Sequence, residues 1–299
     1  MTTPPAELLR HSAELRSGRG ALIKVTPEDA GWDYTSLTVQ CLCDGERWEQ
    51  ATGRNEVALV VLGGACRVES ADDRWRLGMR HNVFGGQPSA LYLPVETAYE
   101  VTADGPVEIA VCGARAEERF EPRQIDPTEV AIEIRGAGNA ARQINHILPP
   151  AFPAQRLLVV EVFTPSGNWS SYPPHKHDIS NMPHEANLEE IYYYRIDPGE
   201  GFGLQRLYTE DGRIDEAWVI RNGDLLLVPE GYHTFVVAHG YTGYYLNVLA
   251  GNEAMRTMQP ADDQDHGWVR GTWNPSLNNG IETWRDIDAR INAGAGQRR

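Results

Sequence analysis

Lysine is nearly missing from this chain. Lys24 and Lys176 are its only two lysines, and arginine carries the rest of the 27 basic side chains set against 42 acidic ones. The net charge of −15 and the pI near 5.0 argue against nucleic acid or an anionic membrane surface as a partner. Long apolar runs are absent as well. None reaches the roughly 18 residues of a membrane span, and the opening stretch MTTPPAELLRHSAELRSGRG lacks the apolar core of a secretory signal. A cytoplasmic protein is therefore expected. Cysteine is scarce: Cys41, Cys43, Cys66 and Cys112, with no CxxC, read as reduced core residues and not as disulfides or zinc ligands. No basic patch or helix-turn-helix pattern supports a sugar-responsive regulator.

What is present is strand. Short apolar, β-branched or aromatic runs such as VALVVLGG, SALYLPV, RLLVVEVFTP, EIYYYRI, GLQRLYT, DLLLVPEG and GYYLNVLAG recur about every ten residues, closed by Gly, Asn, Asp or Pro. That spacing predicts an all-β sandwich or barrel. Helix signals are confined to the ends, at PAELLRHSAELRS (5–17) and ETWRDIDARINA (282–293), and the final GAGQRR reads as disordered. The chain also repeats itself. LYLPVETAYEV (91–101) lies over LLVPEGYHTFV (226–236) with Pro94 on Pro229, Glu96 on Gly231 and Ala98 on His233. NEVALVVLGG (55–64) matches LEEIYYYRID (188–197) in type, with Glu56 set against Glu190. Two tandem β-domains are expected, 1–145 and 146–299, the first having lost its polar residues.

The second copy carries the chemistry. In SSYPPHKHDIS, His175 and His177 alternate with Lys176, so both imidazoles can face one side of a strand. Glu190 opens EIYYYRI, and GDLLLVPEGYHTFV delivers His233 through a turn made by Gly223, Pro229 and Gly231. Three imidazoles and one carboxylate suit a divalent first-row metal ion, Zn, Mn, Fe or Ni. Tyr192 and Tyr194 share the face of Glu190, and Gln205 and Asn247 are amides that need partners if buried. His184, His239, His266, His81, His11 and His146 show no comparable pattern, and Glu189 is expected to face away from Glu190, solvated or salt-bridged.

The four ligand candidates resemble the two cupin motifs, G-x5-H-x-H-x3-4-E-x6-G and G-x5-P-x-G-x2-H-x3-N. The chain departs from them by an insertion before Glu190, by one residue fewer between Gly231 and His233, and by Val237 in place of the final Asn. SYPPHKHD, LEEIYYYRI, GFGLQRLYT, VPEGYH, GYYLNVLAG and HGWVRGTW are similar to the 5-deoxy-glucuronate isomerases of inositol catabolism, relatives of the 4-deoxy-5-hexosulose-uronate ketol-isomerases, from about residue 20 to 275. The resemblance implies a bicupin of two double-stranded β-helix (jelly-roll) barrels with one metal ion, in the C-terminal barrel only. It also implies aldose–ketose isomerisation of a small anionic sugar acid, 5-deoxy-glucuronate, to 5-dehydro-2-deoxy-gluconate through a metal-stabilised cis-enediolate. A homo-oligomer of two or more chains is expected. On that footing Tyr192 and Gln205 are catalytic candidates, and Lys176, Arg206, Tyr232 and Asn247 are substrate-binding ones. Lys176 or Arg206 would hold the carboxylate. A non-haem Fe(II) dioxygenase, another uronate ketol-isomerase and a metal-stapled binding module remain open.

Overall fold

A computed structural model describes residues 7–13, 18–71 and 73–274. The alternation of apolar and polar residues is realised as four antiparallel sheets. In the first half, a six-stranded sheet runs in the order Arg123–Ile125, Ala90–Leu93, Asn55–Gly63, Val107–Arg115, Thr35–Leu42, Gly20–Val25. A four-stranded sheet of Arg47–Ala51, Ala98–Ala103, Ala65–Ser70 and Asp73–Gly78 faces it. In the second half, the main sheet runs Leu9–Arg10, Leu225–Val228, Glu185–Asp197, Thr242–Gly251, Leu158–Thr164, Arg142–Leu148, Ala131–Arg135. Its companion holds Asp215–Arg221, Phe202–Tyr208, Tyr232–Val237, Trp169–Lys176 and Ala261–Asp262.

Each central strand is buried on both faces, which separates two cores. Along Asn55–Gly63, Val57, Leu59 and Val61 fill the first barrel with Val68, Leu77, Val101 and Ile109. Ala58, Val60 and Leu62 point the other way, into a cluster shared with Ile191, Tyr193, Leu225 and Val248 of the second half. The first barrel is thus plugged by aliphatic side chains, while the second keeps polar groups inside.

The expectation for the N-terminal segment changes. The segment 5–17 is not helical where it is described: Leu9–Arg10 pairs with Leu226–Leu225, and the Leu8 carbonyl accepts the Leu227 N–H at 3.0 Å, covering a sheet edge that would otherwise be bare. The candidate helix 282–293 and the tail 294–299 lie outside the described residues. A division at 145/146 cuts through the strand Arg142–Leu148, which together with Ala131–Arg135 hydrogen-bonds to the sheet of the second half. The four cysteines are free thiols; Cys66 and Cys112 lie in the core, whereas Cys41 and Cys43 are half-buried.

The repeat holds, with the match of Glu56 to Glu190 one residue out of register. Val57 pairs with Leu93 as Glu190 pairs with Val228, so Val57 takes the position of Glu190 and Glu56 that of Glu189. Both glutamates clamp the opposite half. Glu56 accepts the backbone N–H groups of Gln155, Arg156 and Leu157. Glu189 accepts those of Asp33, Tyr34 and Thr35, so, half-buried, it is held by backbone N–H groups and, among the described residues, by no salt bridge. Ala51 faces Ala98 where His175 faces His233.

Candidate metal centre and its cavity

The strand Trp169–Lys176 delivers the first two imidazoles through a bulge. Between the pairs Ser170–Phe235 and His175–His233, five steps on this strand match two on its partner. Ser171 is held at φ +51°, in the left-handed region, and the slack is taken up by Tyr172, Pro173 and Pro174. His233 arrives from a turn whose Gly231 sits at φ +92°; a Cβ there would lie 2.7 Å from the Tyr208 carbonyl oxygen. The Gly231 N–H donates to Asp178 at 2.7 Å, which fixes the turn against the histidine loop.

His177, Glu190 and His233 bring one donor atom each within 4.8 Å of one another, all buried. His177 Nε2 lies 2.9 Å and His233 Nε2 3.1 Å from the same Glu190 oxygen, Oε2. The other ring nitrogens decide what this means. Nδ1 of His175 is 3.2 Å from the Pro173 carbonyl, Nδ1 of His177 3.0 Å from that of Leu188, and Nδ1 of His233 3.2 Å from that of Gly231. A carbonyl only accepts, so each Nδ1 carries the proton and each neutral Nε2 presents a lone pair. In the neutral rings the lone pairs of His177 and His233 therefore converge on a carboxylate oxygen, and His233 Nε2 makes no hydrogen bond among the described residues. Such a set repels itself unless a cation sits among its atoms. The residues fit a divalent ion, with imidazole and carboxylate donors of the kind that first-row metals take. His175 stands alongside, its ring centroid 4.7 Å from that of His233, but outside the tight group.

Electrostatics follow from burial and this crowding. Burial pulls the His175 imidazole well below its usual range, and its two neighbouring imidazoles add to the effect. Burial alone would raise the Glu190 carboxyl, yet protonated rings of His177 and His233, donating from Nε2, would hold it far below the usual carboxylate range, and the same contact raises the His177 imidazole against its burial. The anion is therefore permanent.

His177 and Glu190 of the cluster, with His175, line a cavity of about 110 Å³. Its wall is one sheet face, read in steps of two: Arg142, Ile144 and His146; Val160 and Val162; Tyr245, Asn247 and Leu249; Glu190 and Tyr192. Tyr192 presents its hydroxyl 3.0 Å from Ser171 Oγ, which lies 3.2 Å from the Tyr245 hydroxyl. Burial pushes both phenols up, so they stay protonated. Asn247 is 4% exposed and its Nδ2 has no partner among the described residues.

Four sequence candidates stand elsewhere. Lys176 points away from its flanking histidines, as strand alternation requires, and is spent on Asp178 at 2.7 Å and Glu185 at 3.0 Å. Arg206 lies on the outer face of its strand, paired with Asp215 at 2.9 Å and stacked on Tyr208. Tyr232 donates to Glu210 at 2.8 Å, beside Lys176 and not in the cavity. Gln205 is buried deeper in the barrel, where its Oε1 accepts the Tyr194 hydroxyl at 3.0 Å. None of the four lines the cavity.

Sequence reasoning missed Ser171, Tyr245, Arg142 and His146. His146 lines the cavity, and its Nε2 lies 3.0 Å from Glu133 Oε2. Bonds from Arg135, then from His146, hold the Glu133 carboxyl down at about 2, so it is ionised and accepts a hydrogen bond from Nε2–H. Nδ1 is thereby left as the basic nitrogen. The period-two pattern of RQINHIL was the available signal, but only once that strand is assigned to the second barrel.

Comparison with known proteins agrees with this picture. Residues 8–269 match the sequence profile of the KduI/IolB family. The 5-deoxy-glucuronate isomerase of Geobacillus kaustophilus (strain HTA426) is 49% identical over 252 residues, covering 84% of this chain and 91% of that protein. The crystal structure of an IolB-like protein from Salmonella typhimurium LT2 superposes with a TM-score of 0.83 at 39% identity, covering 88% of this chain and 98% of that one. Oxalate decarboxylase from Lactobacillus farciminis shares the fold alone, with a TM-score of 0.63 at 11% identity over 96% of this chain and 99% of its own. The fold is the expected all-β bicupin.

Proposed function

The chain belongs to the KduI/IolB family, and from that premise we propose that it is a 5-deoxy-glucuronate isomerase, an aldose–ketose isomerase forming 5-dehydro-2-deoxy-gluconate. The observation that carries the reading is the convergence of His177, His233 and Glu190 beside a cavity walled by protonated hydroxyls. His177, Glu190 and His233 would hold the metal ion, and His175 alongside them would be the fourth ligand. When bound, a divalent ion there supplies a Lewis acid to the carbonyl and neighbouring hydroxyl oxygens of the substrate.

The protein's own groups move two protons. His146 Nδ1, turned to the cavity side by the Nε2 contact with Glu133, carries the proton from carbon 2 to carbon 1. Tyr192 Oη, linked through Ser171 to Tyr245, passes the hydroxyl proton from the carbon-2 oxygen to the carbon-1 oxygen. The aliphatic walls at Ile144, Val160, Val162 and Leu249 keep water from both. No electron leaves the substrate.

That last point separates this reading from an Fe(II) dioxygenase. Turnover of 5-deoxy-glucuronate is expected at the same rate under nitrogen as in air, and added Mn(II) or Zn(II) is expected to restore chelated enzyme. Oxygen uptake coupled to product formation overturns the assignment. In the same reading the two barrels divide between Ile125 and Ala131, and the enzyme works in the cytoplasm as an assembly of two or more chains. Among the described residues no helix is long and apolar enough to cross a membrane.

A further inference from the structure

Three arginines line the cavity: Arg135, Arg142 and Arg270. Two are already neutralised. Arg135 pairs with Glu133 and Arg270 with Asp262. Arg142 differs. It is 3% exposed, its Nη1 donates to the Ala140 carbonyl at 3.0 Å, and among the described residues no carboxylate lies within ion-pair distance. Its guanidinium lies 5.8 Å from the Trp273 ring, which Arg270 also faces at 5.1 Å. Desolvation pulls its pKa down to about 10.

A buried cation without a counter-ion is costly to a fold unless something brings the missing charge. The cavity holds a second donor in the same condition, the buried and unpartnered Asn247 Nδ2. Nothing else on the wall answers these groups: Glu190 belongs to the metal cluster, and the phenols are neutral. We propose that Arg142 is the substrate-carboxylate anchor of this cavity, with Asn247 donating to a substrate oxygen between the anchor and the metal cluster. The assignment rests on the isomerase reading and adds to it the residue that selects acidic sugars over neutral ones. Overall net charge repels an anion at long range, so selection has to come from one fixed guanidinium facing a carboxylate in a dry pocket.

The test is Arg142→Met, which keeps the length of the side chain and removes the charge. With 5-deoxy-glucuronate, kcat/KM is expected to fall about ten- to hundredfold, chiefly through KM. With the analogue bearing a hydroxymethyl group in place of the carboxylate, it should stay within about threefold. Metal content should be unchanged, and Tm equal to wild type or higher, because an uncompensated charge has been taken out of the core. Arg142→Lys, which restores a charge without the fork, should recover part of the loss. Equal losses on acid and analogue together with a lowered Tm mean a structural arginine and overturn the assignment. A measurement that needs no variant is a crystal of the metal-loaded wild-type protein with D-glucuronate. Its carboxylate is expected on Arg142, and a carboxylate on any other cation overturns the proposal. Failure of the isomerase reading is separate: wild-type protein would then leave 5-deoxy-glucuronate unchanged while D-glucuronate still bound at Arg142.

Discussion

His177 and His233 owe their chemistry to two carbonyl oxygens. By accepting the Nδ1 protons, Leu188 and Gly231 fix the tautomer that turns Nε2 inward, where a cation is needed. Removing any one imidazole, or changing Glu190→Gln, is expected to lower metal affinity by about a hundredfold or more and activity with it, as measured by metal analysis after dialysis. Full occupancy in His177→Ala would show that the ion is held elsewhere. At this scale the sequence was legible for the clustering of His177, Glu190 and His233, because His-x-His and the Pro–x–Gly turn are spacings that local backbone geometry translates directly into position. It was silent on which basic side chains reach the cavity. Lys176 and Arg206 stand near the motif in sequence, but one faces Asp178 and Glu185 and the other faces solvent. Arg142 stands far from every motif and reaches the cavity only through the pairing of its strand with Leu158–Thr164.

Elements explain both what was readable and what was not. Strand period and the tandem repeat are written in alternating apolar residues, whereas register is not: a slip of one residue exchanges Glu189 with Glu190 and with it the two faces of the strand. The bulge at Ser170–His175 carries no motif either, since Ser171 adopts φ +51° without being glycine. The turn at Gly231 is the clearest local case, with φ +92° and only 2.7 Å between the place a Cβ would occupy and the Tyr208 oxygen. Gly231→Ala is expected to cost about 1–3 kcal/mol and to displace His233, since the same residue's carbonyl holds that ring. Urea denaturation reads the first effect and metal content the second. A variant of wild-type stability with full metal content contradicts the claim. Glu96, at φ +55°, occupies the corresponding turn of the first barrel, where no histidine follows and the geometry positions nothing.

The two barrels are joined by more than apolar contact. Arg80, from the first half, reaches Glu161, from the second, in a pair 2% and 0% exposed at the side chains. Its remaining donors go to the Val61 and Gly86 carbonyls at 2.9 and 3.1 Å. Glu161 also takes Asn145 Nδ2 at 2.9 Å and the Tyr244 hydroxyl at 3.0 Å. Burial would lower the Arg80 pKa, but the carboxylate in contact keeps it above its ordinary value. A fully bonded pair of this kind contributes little net stability, yet breaking it strands a charge. Arg80→Met should therefore destabilise by about 3–5 kcal/mol, because Glu161 keeps only two neutral donors. The double change Arg80→Met with Glu161→Leu should cost less than the single one, about 1–3 kcal/mol, the remainder coming from Asn145 and Tyr244 left without their acceptor. Glu161 points from its strand opposite to Val160 and Val162, which line the cavity. Folded molecules of both variants should therefore keep wild-type kcat/KM and metal content. Strictly additive costs in the denaturation cycle would show that the two side chains do not act as a pair across the barrels.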